Sequence, residues 1–290
     1  SLTLRVLKEL QTLAEQNVEK YGKFWQTYGT LLKEGVSSDF KNKDRLKDLL
    51  RFNSSISEDS STDVTLKDYV SRMREGQKDI FYVTGGSREA ILHNPNLEYF
   101  RRQGLEVLFL TDQIDDFMVV DLRDYDGKTL KNISQGDIEG INDSDMSAAE
   151  SSLSKEEKSD ILAFFKKQLK DRVSEVSDSK RLVDSPCSLV TPKDGMTAQM
   201  EKMMKMMDQK FQGEKRNLEV NMGHPIIQNL SEILQKNKKH PFLKETVEQL
   251  YENSLLVEGL LENPVQILSR YQMFMESASA YELEKLNRVE

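Results

Sequence analysis

The chain has 290 residues with 41 basic and 49 acidic side chains, so its formal net charge is −8, and 37% of its residues are hydrophobic. This length is typical of about two domains, and the apolar and aromatic content excludes wholesale disorder. The acidic balance argues against nucleic acid or an anionic membrane as the main partner.

The cysteine and histidine content excludes further kinds of protein. The single cysteine, Cys187, excludes an intrachain disulfide, and the 3 histidines show no zinc-ligand spacing. No apolar run is long enough to span a bilayer, and the N-terminus lacks a signal-peptide pattern. We therefore expect a reducing compartment such as the cytosol. Because the sequence starts at Ser1 inside a helical pattern, we also expect a piece of a longer protein.

The first part of the chain predicts three helices and a loop. Apolar residues recur at helical spacing over residues 3–20, Tyr21–Lys33 and Asp44–Phe52. Two interpretations of Trp25 and its neighbour Tyr28 stay open, namely packing between helices or an aromatic contact with a partner. The polar stretch 53–63 predicts a loop, and Thr65 is the expected N-cap of a helix that ends near Met73.

Strand and helix patterns then alternate. Strands are predicted at Asp79–Thr84, Leu105–Leu110 and Lys128–Ile133. Helices are predicted between Ser87 and Gln103, with a break at Asn94-Pro95, and over Ile114–Leu122. This order predicts a small parallel sheet with helices on its faces.

The turn after the first predicted strand is a candidate phosphate-binding site. Gly85-Gly86 precedes a helix start, where unpaired N–H groups could bind phosphate. His93 and the aspartates 112, 115 and 116 are the nearby candidates for acid–base or metal chemistry. However, neither GxGxxG nor a P-loop is present, and an ordinary strand-to-helix turn is the alternative.

A segment rich in Ser and Asp predicts a linker at residues 142–153 between domains at 1–141 and 154–290. Ser154 and Glu157 form a capping-box pattern for a helix to about Val173. Short strands are predicted at Val173–Val176, Lys180–Val183, Cys187–Val190 and Asn217–Met222. Further helices are predicted at Met196–Phe211, Pro225–Lys236, Pro241–Leu261 and Pro264–Ala278, with a final turn or frayed end after Tyr281.

One helix in this part has an unusual composition. Its apolar stripe consists of Met196, Met200, Met203, Met204, Met207 and Phe211. Such a stripe most often faces a core. Because methionine is unbranched and polarizable, the stripe could instead be an adaptable binding face, and the sequence leaves both interpretations open.

The last two helices carry adjacent apolar stripes, which a lone hairpin at a chain end cannot bury. Pairing with a second copy would give a four-helix bundle, and docking on the preceding strands is the alternative. The predicted dimer interface contains Leu250, Leu255, Leu256, Leu260, Ile267, Leu268, Tyr271 and Met275.

Several short blocks, taken in order, resemble the heat-shock protein 90 chaperone family. They are LLRFNSS at 49–55, YVSRM at 69–73, IFYVTG at 80–85, EVLFLTDQIDDF at 106–117, RLVDSP at 181–186, MEKMMK at 200–205 and HPII at 224–227. KFWQTYG at 23–29 is similar to an aromatic helix of the family. RLVDSPC and the short linkers are most similar to the bacterial member, and a mitochondrial relative stays open.

The resemblance implies the end of the family's middle domain followed by its C-terminal dimerisation domain. We expect a mixed α+β and α/β fold: a three-layer α/β subdomain with flanking helices, then an α+β dimerisation domain that ends in a helical hairpin. The resemblance covers no nucleotide-binding domain. It therefore implies no catalytic residue, cofactor or metal in this chain, and ATP and magnesium in the intact parent.

The expected function is that of a bacterial-type cytoplasmic chaperone. The resemblance implies a homodimer that binds unfolded client proteins through Trp25, Tyr28 and the methionine stripe. The C-terminal MEEVD that recruits tetratricopeptide co-chaperones is absent from the sequence. Two other functions stay open, a phosphate-binding α/β enzyme and a structural dimerisation scaffold without a binding face.

Overall fold

A computed structural model describes residues 2–136 and 151–288. The chain divides into two compact units, Ser1–Ser147 with Val190–Glu214, and Ala148–Leu189 with Lys215–Glu290. The segment with the methionine helix therefore groups with the first unit, although it lies in the range predicted for the second domain. Residues 142–150 of the predicted linker lie outside the described residues, so the domain boundaries stay a prediction.

Twelve α-helices and eight strands are found in the described residues. The helices are α1 Leu2–Gln16, α2 Val18–Ser38, α3 Lys43–Leu49, α4 Leu66–Arg72, α5 Arg88–Leu92, α6 Glu98–Gln103, α7 Asp115–Leu122, α8 Lys155–Leu169, α9 Ala198–Met207, α10 Pro225–Lys236, α11 Pro241–Glu258 and α12 Leu268–Asn287. The strands are β1 Asn53–Ser54, β2 Asp79–Thr84, β3 Leu108–Leu110, β4 Asp124–Tyr125, β5 Lys128–Asn132, β6 Val173–Asp178, β7 Cys187–Val190 and β8 Arg216–Val220. None of these helices has the length and apolar character needed to cross a membrane.

The first unit is built on a five-stranded sheet in the order β1-β3-β2-β5-β4. The central strand β2 pairs in parallel with both β3 and β5, which confirms the predicted parallel sheet. The two edge strands β1 and β4 are antiparallel and only two residues long. Strands this short have no recognisable alternation of apolar and polar residues, and the sequence did not predict them.

Side chains of β2 alternate between two cores. Ile80 and Tyr82 join the cluster that contains Trp25 of α2 and Met118 of α7. Their neighbours on the strand, including Phe81, join a second cluster with residues of α5 and α6. Because successive strand residues point to opposite faces, helices cover both faces of the sheet. The predicted three-layer α/β arrangement is confirmed.

The second unit contains a three-stranded sheet in the order β6-β8-β7, with β6 and β8 parallel. Its core joins residues of α8, α10 and α11 to the sheet. The predicted capping box of Ser154 and Glu157 is present at the start of α8. The predicted strand at Lys180–Val183 is wrong, because this stretch is a loop whose Arg181 is buried in an ion pair with Glu219.

Several helices differ in length from their predictions, among them the two whose predicted ranges contain most of the predicted site residues. Helix α9 begins after Thr197 and ends at Met207, so Met196 and Phe211 lie outside it. Helix α12 is preceded by a short 3₁₀ turn at Pro264–Ile267 and continues to Asn287, well beyond the predicted end at Ala278. The charged sequence after 278 therefore extends a helix instead of fraying.

Candidate functional site: an exposed methionine surface

Helix α9 packs through its polar side. Within this helix, all of which is described, Glu201 is the one buried residue, with 4% of its surface exposed. Its carboxylate lies 3.3 Å from Lys205 Nζ and close against Gly213, where an added Cβ would clash with it. A buried carboxylate is costly to desolvate unless it is paired, so this contact defines which side of α9 faces the protein.

The methionines consequently point outward. The exposed fractions are 43% for Met203, 38% for Met204, 83% for Met206 and 75% for Met207. We call these four residues the methionine surface. Met196, Met200 and Phe211 from the predicted stripe are half-buried. Met206 was not predicted, because it lies off the stripe of the helical wheel, although the run of methionines was a signal for it.

The N-terminus of α9 has a defined set of contacts. Thr197 accepts a hydrogen bond from the Met200 N–H at 3.2 Å, and the Met196 N–H donates to Glu214 at 3.1 Å. Such an N-cap typically stabilises a helix by about 1 kcal/mol. The cap of Thr197 and the carboxylate of Glu214 therefore hold this helix end in one place.

Asp116 of α7 lies next to this helix end. Burial raises the pKa of Asp116, while the hydroxyls of Thr197 and Thr84 and the charge of Lys202 lower it. Both Asp116 oxygens are buried, and neither oxygen meets the distance and angle criteria of a hydrogen bond with a described residue. The contact of α7 with α9 thus includes a carboxyl group whose burial outweighs the effect of its polar neighbours and of Lys202.

Helix α7 adds exposed apolar side chains beside Asp116 in sequence. Phe117 is 41% exposed and Val120 is 56% exposed. The sequence did not predict either residue as part of a site. Apolar and acidic residues are both spread around this helix, so no pattern distinguishes the side chains that meet the sheet from those that face outward.

The two aromatic residues predicted on α2 have different positions. Trp25 is only 6% exposed and belongs to the core, so its prediction as an exposed partner contact is corrected. Its ring packs tightly against the backbone at Gly29. Tyr28 is 49% exposed, with its ring centroid 5.4 Å from that of Phe24. Tyr28 therefore stays a predicted contact residue.

The residues of the phosphate hypothesis serve the fold. Lys33 Nζ lies 2.7 Å from the carboxylates of both Asp112 and Asp115, and Asp115 is fully buried. The Gly85 N–H donates to the Leu110 carbonyl, and His93 is exposed on the helix surface. Over residues 2–136 and 151–288, no group of three His, Cys, Asp or Glu side chains could hold a metal ion.

The predicted dimer residues fall into two groups. Leu250, Leu260 and Ile267 are buried within their own unit, and Leu255 is half-buried. The exposed members are Leu256 at 43%, Leu268 at 59%, Tyr271 at 38% and Met275 at 65%. The three that belong to α12, Leu268, Tyr271 and Met275, follow a heptad spacing, and we call them the α12 seam.

Helix α12 is attached to α11 by Tyr271, whose hydroxyl donates to Asn253 Oδ1 at 2.8 Å, and by two residues outside the seam. Arg270 Nη1 lies 2.5 Å from the Glu252 carboxylate, and its Nε lies 3.3 Å from Glu245. Phe274 meets Phe242 edge to face, with ring centroids 5.6 Å apart. Despite these contacts, no residue of α12, from Leu268 to Asn287, is buried. Leu268 and Met275 of the α12 seam are therefore exposed in the single chain, and the Tyr271 ring is partly exposed.

Comparison with known proteins identifies the family. The family described as Hsp90 protein matches residues 1–289. The chain belongs to the Hsp90 family. Chaperone protein HtpG of Chlorobium luteolum is 40% identical over 281 residues, and that of Chlorobaculum tepidum is 41% identical over 290 residues. Both alignments cover 96% of this chain. The resemblance inferred from short sequence blocks is thus confirmed.

A third Hsp90 relative, chaperone protein HtpG of Geobacter sulfurreducens, is 41% identical over 261 residues, which cover 89% of this chain. The chain spans 44% of the length of the Chlorobium and Chlorobaculum relatives and 40% of the Geobacter relative. The matched share is the C-terminal part of these relatives. Hsp90 is a chaperone family. The exposed apolar surfaces of this chain are therefore candidates for protein-binding surfaces.

Proposed function

We propose that this chain provides the self-association element and part of the client-binding surface of an Hsp90-type chaperone. The observation that carries the proposal is the orientation of α9. Its polar side, with Glu201, packs against the protein, and its methionine surface is left exposed. A helix that only completed a core would have the opposite orientation.

The chemistry of the surface supports an unfolded or partly folded protein as client. Methionine side chains rotate freely and are polarizable, so they can pack against apolar segments of different shape. Phe117 and Val120 on α7 are further exposed apolar side chains of the same unit. The net charge of −8 would help to keep a complex with an apolar client in solution.

The α12 seam supports self-association as a homodimer. A helix of 20 residues without a buried side chain has too little contact with its own chain to bury its apolar row. Pairing with the same helix of a second copy would cover Leu268, Tyr271 and Met275 in both chains. Leu256 of α11 would extend the same interface.

In this proposal, the ATP-dependent step belongs to a different part of the parent protein. The chain spans 44% of the length of relatives named chaperone HtpG, and its candidate phosphate residues are engaged in the fold. ATP and magnesium would bind to a part of the parent outside this chain, and the chain itself would not hydrolyse ATP. A cytoplasmic location is part of the same proposal.

Replacing Met203 and Met207 by serine tests the client surface. Both side chains are exposed, so the loss of apolar area should weaken binding of a fluorescent, permanently unfolded lactalbumin about tenfold while the thermal midpoint stays unchanged. The matched control replaces Phe40 and Ile56, exposed apolar residues outside α9, by serine and should bind normally.

Two outcomes would contradict the client surface. Unchanged binding by the Met203→Ser, Met207→Ser variant would remove the methionine surface from the site. A collapse of its thermal midpoint would show that the methionines are core residues. Hydrogen exchange of residues 198–207 with and without the unfolded protein separates a client surface from a pure dimerisation scaffold, for which no protection is expected.

A further inference from the structure

A basic cleft lies in the second unit, and none of its lining residues belongs to the methionine surface or the α12 seam. It has a volume of about 500 Å³ and is formed by α8, the end of α10 and the start of α11. Its apolar lining includes Phe164 and Leu234, and its basic lining residues are Lys167, Lys238, Lys239, His240 and Lys244. We call this cleft the basic groove.

The lysines of the groove are not held in ion pairs within the described residues. None of Lys167, Lys238, Lys239 and Lys244 makes an ion pair with any described residue. Two lysines next to the groove, in contrast, have partners within the chain. Lys166 donates to the Val173 and Ser174 carbonyls, and Lys236 pairs with Glu232. The ammonium groups at the groove are therefore available to an outside partner.

The groove contains a single acidic side chain, Asp160. One of its oxygens accepts a hydrogen bond from Gln235 Nε2 at 3.1 Å. Four lysines against this one aspartate leave a local excess of three positive charges in a chain whose net charge is −8. A positive cleft in an acidic protein selects for a locally acidic ligand, because the field near the cleft differs in sign from the field of the whole chain.

The start of α11 increases the positive potential. This helix of 18 residues has no acidic side chain in its first turn, so the partial positive charge of its N-terminus is not neutralised there. His240 Nδ1 accepts from the Phe242 N–H at 3.3 Å, which leaves Nε2 as the protonated, donating nitrogen of the neutral ring. His240 is exposed and lines the groove.

We propose that the basic groove binds an acidic peptide segment of a partner protein, with an apolar side chain of that segment on the half-buried Phe164. Carboxylates at several positions of an extended segment could each meet one lysine. The apolar lining favours a peptide over a phosphate polymer, which has no apolar group to cover it. This surface is separate in sequence from the residues of the proposed client surface.

The experiment compares two triple variants of the full chain. The probe is a fluorescein-labelled nine-residue peptide of glutamates around one central phenylalanine. The groove variant Lys238→Gln, Lys239→Gln, Lys244→Gln should bind it about tenfold more weakly than the unmodified chain, since each exposed ion pair contributes modestly. The control variant Lys8→Gln, Lys20→Gln, Lys41→Gln removes the same charge from exposed positions of the first unit and should bind within about twofold of the unmodified chain.

Two further measurements identify the ligand class. Ala163→Glu places a carboxylate on the part of the groove lining that α8 provides, and it should also weaken binding of the peptide. Its helix content, measured by circular dichroism, should be unchanged. A peptide in which serine replaces the phenylalanine should bind severalfold more weakly. Rising salt should reduce the affinity, because the contacts are between exposed charges.

The proposal is overturned if the groove variant binds as the unmodified chain does, or if both triple variants lose affinity equally. It is also overturned if the serine peptide binds as well as the phenylalanine peptide and inorganic tripolyphosphate displaces both, since the groove would then be a general polyanion site.

Discussion

At the scale of single residues, two neighbouring aspartates on α7 show how burial acts on a carboxylate. Burial raises the pKa of Asp115, and the Lys33 ammonium group at 2.7 Å lowers it again. Burial also raises the pKa of Asp116, which has no ion pair among the described residues. Asp115 therefore stabilises the contact of α2 with α7 through its partner, whereas Asp116 has no equivalent compensation.

Asp116→Asn should stabilise the chain at neutral pH. The pKa of Asp116 is raised in the folded state, so its protonated form is favoured there. Its contribution to the free energy of unfolding is therefore fully present at a pH below the ordinary aspartate pKa. This contribution is lost as the pH rises through the raised pKa of the folded state. The asparagine variant avoids that loss. Its free energy of unfolding at pH 7 should be higher by about 1 kcal/mol, and the difference should vanish near pH 3.

Urea unfolding between pH 3 and 8 measures this difference. Asp171→Asn is the control, since the Asp171 side chain is fully exposed, and it should change the stability little at any pH. If Asp116→Asn destabilises the chain at pH 7, the native carboxylate is ionised and compensated, and our account of its environment is wrong.

At the scale of elements, α9 shows the limit of an amphipathic pattern. The spacing of its methionines correctly indicates a helix with one apolar side. The same spacing is compatible with either orientation, because periodicity does not say which side meets the protein. That choice depends on Glu201, whose carboxylate fits the space beside Gly213 and Lys205.

Thr197→Ala should loosen α9 without unfolding its unit. The substitution removes the N-cap hydrogen bond to the Met200 N–H, which typically costs about 1 kcal/mol of local helix stability. Amide hydrogen exchange at residues 200–206 should accelerate about fivefold. Thr197→Ser retains a capping hydroxyl and should exchange as the unmodified chain does. Equal exchange in all three chains would show that tertiary contacts, and not the cap, hold α9.

At the scale of the whole molecule, α12 determines the expected assembly. Its attachment through Arg270 and Phe274 defines which side faces α11. Leu268 and Met275 of the α12 seam remain exposed, and a second copy of the chain could cover them by symmetry. Leu255, which the sequence also indicated, is half-buried and packs against the core of its own unit. A charge there would disturb the fold as well as any interface.

Leu268→Glu with Met275→Glu should convert the chain from dimer to monomer. The carboxylates would be buried without partners in the paired seam, a cost of several kcal/mol over two copies. Sedimentation velocity should then report a mass near 33.5 kDa instead of twice that value. Leu31→Glu with Phe40→Glu, at exposed positions of the first unit, is the control and should remain dimeric. An unchanged mass for the seam variant would place the interface elsewhere.

Predictability differed among the elements for physical reasons. Long helices with a cap and a regular apolar period were recognisable: α10 was predicted to the residue, and the start of α8 was predicted correctly although its end was placed about four residues too late. The parallel strands β2 and β3 were recognisable because both of their faces are buried, which leaves an almost continuous apolar run. The two-residue edge strands and the buried loop around Arg181 carry no period at all, and their structure depends on distant partners.

The sequence by itself determined the family, the fold class and the positions of the long helices, because short motifs in a fixed order and local periodicity are properties of the chain alone. Only the tertiary structure decided which apolar side chains are exposed. Trp25 and Leu250 are core residues while Met206 and Phe117 are exposed, and no local pattern distinguishes these cases. The exposure of the α9 methionines follows from the burial of Glu201 beside Gly213, which lies outside the helix and is brought there by the fold.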